Sequence, residues 1–310
     1  MLFLAAVLAT GISSPRTVVT GFLSTTLFLV FGGLLIGLAA ERSGFGAYVA
    51  RKFLAPFRSS YSQLVLGILV GTSILSFLVP ANMGRLAITV PIVLALARDA
   101  KYEVGSAGHA ALVIAAVVGN FTVAISILPA NLLNVMITGT GETLYGVRTS
   151  YLEYLLMCGP TLGLAKAALV WIVIVRMLPA PPPAPLQAEG EPQLGPDARR
   201  VAMILALAIM LWATDLWHGI SPGLVALIAG ALCVAPGVGV LPLREAFDPR
   251  KLLILVWVGT VLSLGAILID TGASSLVSHA LSASLGIEGR SAMAGHFAIA
   301  VSGSVLAALG

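Results

Sequence analysis

Charge is what this 310-residue sequence has least of. Only 10% of its residues are charged, against 58% apolar, and the mean hydropathy is +1.03. No soluble domain carries that balance. Cysteine is nearly absent: Cys158 and Cys233 both sit in apolar segments, and neither points to a disulfide or a metal site. Basic residues come singly or in pairs beside apolar runs, so the pI near 9.3 does not point to nucleic acid. The apolar runs are continuous rather than alternating, which argues against a β-barrel. Met1 enters an apolar run with no basic n-region, so no cleavable signal peptide is expected. No Asp or Glu falls at mid-span depth, which removes a carboxylate proton relay. No Ser/His/Asp, HExxH or paired-Cys arrangement occurs, and no nucleophile–base pair supports an enzyme. The Gly-rich stretch 139–146 reads as a loop after a span. It lacks the Lys-Ser/Thr of a phosphate loop.

Long apolar runs separated by short charged joints are what is present. They predict an all-α polytopic membrane protein. Residues 2–10 form a piece too short to cross alone. Spans are expected at 18–40, 107–138, 151–177, 201–216, 223–240 and 252–269. Residues 46–57, with Arg51 and Lys52, and 273–285 read as interfacial amphipathic helices. A Pro-rich linker covers 179–200, with Pro181-Pro182-Pro183 at its start. Another apolar segment begins at His296.

The most informative stretch is 59–101. One apolar run there is interrupted once, by Pro80-Ala81-Asn82-Met83-Gly84-Arg85. The arm from Gln63 to Val79 is long enough to span. The arm from Leu86 to Ala97 is about 18 Å as a helix, against a hydrocarbon core of about 30 Å. This predicts a re-entrant hairpin with a polar tip. Irregular backbone at that depth survives only buried in protein or lining a cavity.

The expected span at 107–138 has a polar middle holding Asn120, Thr122, Ser126, Pro129, Asn131 and Asn134. Pro129 removes a backbone donor and disfavours helix at Leu128, so the helix should break there. Freed carbonyls and half-helix ends can then hold an ion or face an anion. A Pro-kinked span whose amides bond neighbouring helices is the plainer alternative. Arg85 is the arginine at hairpin-tip depth. It either draws an anionic solute or clamps the tip to carbonyls. Lys166 is expected to snorkel or line a cavity. Asp215, His218 and Asp270 fall at span ends, where interfacial water would solvate them.

With the linker placed in the cytoplasm and the hairpin not crossing, the inner side holds Arg42, Arg51, Lys52, Arg58, Arg98, Lys101, Arg176, Arg199, Arg200, Arg244, Arg250 and Lys251. The outer side holds Arg16, Arg148 and Arg290. That asymmetry follows the positive-inside rule and predicts a multi-pass protein of the cell inner membrane with a cytoplasmic linker. A weak internal repeat is also visible. Gly37-x6-Gly44 recurs as Gly265-x6-Gly272, each closing a span and preceding an amphipathic stretch. The two copies should run in opposite senses, as in inverted-repeat transporters. The expected division is a first repeat over 1–178, the linker at 179–200, and a second repeat over 201–310.

The order of these elements resembles the divalent anion:sodium symporter family, within the ion transporter superfamily. The resemblance rests on "ERSGFGAYVARKFL", "PANMGRLAITVPIVLAL" and "LPANLL", in that order. Against the family's Pro-Ser-Asn-Thr-Ala-Arg tip, Pro80, Asn82 and Arg85 match, while Ala81 and Met83 replace the two hydroxyl residues. Ile127 to Asn131 stands at the family's broken helix, keeping Pro and Asn. The resemblance implies a secondary transporter of small anions, dicarboxylate or sulfate-like, working by elevator-type alternating access. It implies sodium as coupling ion, with Asn82 a ligand, no other cofactor, and a homodimer in the lipid bilayer. Pro80, Asn82, Arg85, Asn120, Thr122, Ser126, Asn131 and Asn134 are together the candidate binding residues. The family continues into a second hairpin and second broken helix. The sequence up to Gly310 is expected to hold that second repeat only in part, and a truncated or partner-dependent protein without transport of its own is the alternative function.

Overall fold

The computed structural model describes residues 2–80, 82–184 and 193–276, with the single positions 295 and 301. Every regular element among them is helical. In chain order these are α1 (Leu2–Thr10), α2 (Pro15–Val19), α3 (Thr25–Arg42), α4 (Phe45–Leu54), α5 (Tyr61–Leu78), α6 (Asn82–Asp99), α7 (Ala107–Thr122), α8 (Leu132–Tyr145), α9 (Tyr151–Cys158), α10 (Lys166–Met177), α11 (Pro196–Ala213), α12 (Asp215–His218), α13 (Pro222–Val234), α14 (Leu243–Ala246) and α15 (Pro249–Asp270). Among the described residues five stretches are long and apolar enough to cross a membrane: Pro15–Arg42, Tyr61–Leu78, Ala107–Ser126, Tyr151–Met177 and Leu252–Asp270. Their outward faces stay apolar. Leu156, Leu164 and Leu169 along α9 and α10 are exposed, the arrangement lipid rewards and water does not. The protein is an all-α polytopic membrane protein.

Local chemistry sets most helix starts. Ser24, Ser60, Ser106, Ser150 and Ser221 each accept, through Oγ, the N–H three residues on. Each such cap stabilises its helix by about 1 kcal/mol. Pro160 opens a π-helical turn over Gly159–Ala165, which joins α9 to α10 as one continuous span.

Two ends of the molecule are defined by side-chain ties. At the linker end, Tyr61 Oη donates to the Leu178 carbonyl (2.5 Å) and Tyr102 Oη to the Pro181 carbonyl (2.8 Å), while Arg42 pairs with Glu245. At the far end, Thr25 Oγ1 donates to Glu142 (2.5 Å), Ser13 Oγ to Asp270 (2.5 Å), and Ser150 Oγ to Asp215 (2.9 Å). Helix α3 therefore runs from far end to linker end. Helix α15 runs the opposite way, with Gly259 against Gly21 and Asp270 against Ser13.

Helices α3 and α13 touch backbone to backbone. A Cβ on Gly32 would lie 2.1 Å from the Ala226 carbonyl oxygen, and one on Gly223 would lie 2.1 Å from that of Thr25. Small residues at such a crossing let helices associate where lipid offers no hydrophobic drive.

Several expectations need correction. The second hairpin arm is not short: α6 starts at Asn82 and ends at Asp99, about 27 Å of helix, matching α5. Met83, Gly84 and Arg85 belong to its first turn, so the described non-helical tip is only Val79 and Pro80. The expected span at 223–240 ends at Val234, because Ala235-Pro236-Gly237 turns the chain, with Gly237 at φ +80°. Residues 139–145 are not a loop but the last turns of α8. Gly139 is there because Thr26 packs on it: a Cβ would sit 2.2 Å from the threonine Oγ1. Ala81, most of the 273–285 amphipathic stretch and the segment from His296 lie outside the described residues, as do linker residues 185–192.

Candidate functional site

The site is built where two helix interruptions meet. The first is the hairpin tip. Val79 leaves α5 in extended conformation (φ −124°, ψ 95°), Pro80 continues it, and α6 restarts at Asn82. The second is the break between α7 and α8. Short 3-10 turns at Ala124–Ser126 and Leu128–Ala130 replace the helix, and Asn131 restarts it by accepting the Leu133 N–H (3.3 Å) through Oδ1. The break falls at Pro129, where its missing N–H forbids the helical ladder.

Arg85 joins the two. It is fully buried, at 0% exposure, and all five of its N–H groups have acceptors. Nε donates to Asn120 Oδ1 (2.9 Å). Nη1 donates to the carbonyls of Val79 (2.6 Å) and Ala130 (3.1 Å). Nη2 donates to Asn82 Oδ1 and to the Asn120 carbonyl (3.2 Å). None of these partners is a carboxylate. Val79 caps the end of α5 and Asn120 lies in the last turn of α7, so the guanidinium sits at two helix C-termini, where the backbone dipole favours a cation. Thr89 Oγ1 donates to Arg85's own carbonyl (2.8 Å).

The asparagines extend the network. Asn120 Nδ2 donates to the Asn82 carbonyl (3.0 Å), and Asn82 Nδ2 donates to Asn131 Oδ1 (3.3 Å). Asn82, Arg85, Asn120 and Asn131 thus form one constellation, and Pro80 follows Val79, whose carbonyl Arg85 binds. Thr122, Ser126 and Asn134 do not join it. Thr122 Oγ1 donates to the Val118 carbonyl (2.7 Å) and Ser126 Oγ to that of Val123 (2.7 Å). Asn134 Nδ2 donates to those of Ala124 and Ile127 (both 2.9 Å). These three bond backbone carbonyls in and beside the break, and those of Val123, Ala124 and Ile127 also accept the N–H of Ser126, Ile127 and Ala130.

The constellation lies at mid-depth of α3. The backbone at Gly33, halfway along that helix, rests on Pro80, where a Cβ would lie 3.5 Å from the proline carbonyl oxygen. Sequence reasoning missed Gly33, Thr89 and the carbonyls of Val79 and Ala130. The glycine pair Gly32-Gly33 within a span was the available signal for close approach. It also placed Asp215 in interfacial water. Asp215 is buried at 6% exposure and accepts from Ser150 Oγ and the Tyr151 N–H (2.5 Å), so it fixes the start of α9 instead. Among the described residues no group of three His, Cys, Asp or Glu could hold a metal ion.

A family model described as citrate transporter matches residues 1–309. The chain belongs to the citrate transporter family. Among curated proteins, it is 25% identical over 264 residues to a membrane protein of Cupriavidus necator, covering 82% of this chain and 51% of that one. It is 26% identical over 173 residues to a sodium-dependent dicarboxylate transporter of Staphylococcus saprophyticus, covering 52% of this chain and 32% of that one. The chain therefore spans about half the length of the first relative and a third of the second. Membership of a transporter family agrees with the resemblance to divalent anion:sodium symporters.

Proposed function

We propose that this chain carries a small polycarboxylate, citrate or a dicarboxylate, across the membrane by secondary transport, and that the hairpin tip and helix break form its anion site. The observation that carries this reading is the placement of Arg85. Its guanidinium occupies the C-terminal carbonyls of α5 and α7, which would otherwise present negative dipole ends. What remains facing the constellation are the N-termini of α6 and α8, both favourable to an anion. A net positive charge without a carboxylate partner adds to them. Arg85 then acts as clamp and field source, while Asn82 and Asn131 touch the solute.

Depth supports a re-entrant hairpin. The tip meets Gly33 at the middle of α3, and the break it contacts is followed by α8, which continues to the far end. The repeat gains support as well. After α3, Ser43 N–H bonds the Ala39 carbonyl and Gly44 N–H that of Glu41, with Gly44 at φ +73°. After α15, Thr271 bonds Ile267 and Gly272 bonds Ile269, with Gly272 also at φ +73°. Two antiparallel helices that end in the same turn suit an inverted pair. Sodium coupling, elevator movement, a homodimer and a cytoplasmic linker in the inner membrane complete the reading. The first three come from the resemblance, with the dicarboxylate relative's name supporting sodium, and the last from the distribution of basic residues. A sodium ion would use the side-chain oxygen of Asn82, which accepts one hydrogen bond, from Arg85, and has a second lone pair.

The test is uptake of labelled citrate and succinate into proteoliposomes holding the chain, with and without a sodium gradient. Sodium-driven uptake that falls at least tenfold in Asn82→Ala, at equal protein content, supports the reading. Uptake driven equally by a proton gradient removes the sodium part alone. No uptake of either acid under any gradient supports the alternative, a membrane protein without transport of its own.

A further inference from the structure

We propose that the groove between α4 and the end of α6 holds the headgroup of an anionic phospholipid. The ten residues of α4 bury Phe45, Gly46, Val49, Ala50 and Leu54 against the helices behind it and turn Arg51, Lys52 and Phe53 outward. The packing is close: a Cβ on Gly46 would lie 2.4 Å from Ile88 Cδ1 of α6. Helix α4 is thus fixed to the protein at the linker end, with an exposed aromatic beside two cations. That is the composition of a helix lying in the headgroup layer.

The groove beside it is itself amphipathic. Leu54, Ile92 and Leu96 make its walls, and Arg51, Arg58 and Asp99 make its rim. Lys52 stands next to the rim, held on the outer face of α4 by its bond to Tyr48 Oη (3.2 Å) and by its position over the tyrosine ring. Arg98, exposed at the end of α6, adds a further positive charge. The exposed cations Arg51, Lys52 and Arg98 outnumber the one carboxylate of the groove, Asp99. A phosphodiester headgroup matches the rim in charge, and its acyl chains would lie along the exposed Phe53 of α4. A soluble anion matches only the charge, so the lipid is the occupant that uses both. The position suits the leaflet next to the linker end, the end where basic residues collect.

The experiment uses the purified chain in nanodiscs of phosphatidylcholine with and without a third of phosphatidylglycerol. Thermal unfolding and lipid retained in native mass spectra are the readouts. Phosphatidylglycerol should raise the unfolding temperature by several degrees and remain bound, and the rise should shrink with added salt. In Arg51→Gln with Lys52→Gln the affinity should fall about 25-fold, at about fivefold per cation removed near the surface. Arg199→Gln, an exposed cation outside the groove, should leave it unchanged. Equal unfolding temperatures in the two lipids would overturn the proposal. So would full retention of the rise in the double variant, or an equal loss in Arg199→Gln. If glycerol phosphate in solution reproduces the whole effect, the site is one for soluble anions and the lipid assignment is wrong. Both substituted side chains are exposed, so the double variant should fold; its unfolding temperature in phosphatidylcholine alone checks this.

Discussion

Replacing Arg85 is the sharpest test of how the two helix interruptions are held together. Arg85→Met keeps the length and removes the guanidinium. Five hydrogen bonds from a charged donor disappear, each worth about 1.5–3 kcal/mol. Against that stands the desolvation of a buried cation, several kcal/mol, which the variant no longer bears. The carbonyls of Val79, Ala130 and Asn120 lose their donor inside the protein, where water does not replace it. The net cost should resemble the breaking of other buried charged networks, about 3–5 kcal/mol. At about 2 °C per kcal/mol for a chain of this size, unfolding should fall by roughly 6–10 °C. Cys158 and Cys233 are free and buried, so labelling by a thiol-reactive dye during heating reads the transition directly. Arg85→Lys sharpens the logic. It keeps the charge but offers three N–H groups from one atom, so it can serve at most three of five acceptors. If geometry is what matters, the lysine variant should recover no more than half of the lost stability and little of the uptake. Full recovery by lysine would show that charge alone is needed, and the clamp would be refuted. An Arg85→Met variant that melts within about 1 °C of the parent would refute it equally.

Other outcomes follow from the same packing. Gly223→Ala places a methyl 2.1 Å from the Thr25 carbonyl oxygen and should destabilise the α3–α13 crossing by about 1–3 kcal/mol, whereas Gly71→Ala, with nothing within 4 Å of its Cβ, should be neutral or gain up to about 1 kcal/mol; thermal unfolding of the pair decides. Asn131→Ser keeps a good helix cap but removes the amide bonded to Asn82, so stability should change by less than about 1 kcal/mol while citrate uptake falls at least tenfold. Asp215→Ala leaves the Tyr151 N–H and Ser150 hydroxyl without their acceptor and should cost about 1–3 kcal/mol, seen as faster amide exchange at the start of α9.

What could be read from the chain alone divides along a physical line. Features set by covalent structure were legible. Pro129 cannot donate to a helical ladder, so the break near Leu128 was visible before any packing was known, and Pro80 marked the hairpin tip for the same reason. Features set by distant partners were not. Asn82-Met83-Gly84-Arg85 reads as loop by composition, yet it forms the first turn of α6, where the Asn82 side chain and carbonyl are held by Arg85 and Asn120. The end of α13 was overlooked although Pro236-Gly237 signals it, because hydropathy stays high through Val240 and length was judged by hydropathy. Asp215 was assigned to water because a carboxylate at a span end usually finds it; its partners, Ser150 and Tyr151, lie some 65 residues away in sequence. Arg85 combines both kinds of feature. A charge at that depth announces a role, but choosing between clamp and solute receptor needs the positions of five acceptors. Those acceptors come from two helix interruptions that are separated in sequence and share one side chain. A change that frees either interruption must therefore loosen the other, which is why the stability and the uptake of an Arg85 variant should fall together, whereas those of Asn131→Ser should separate.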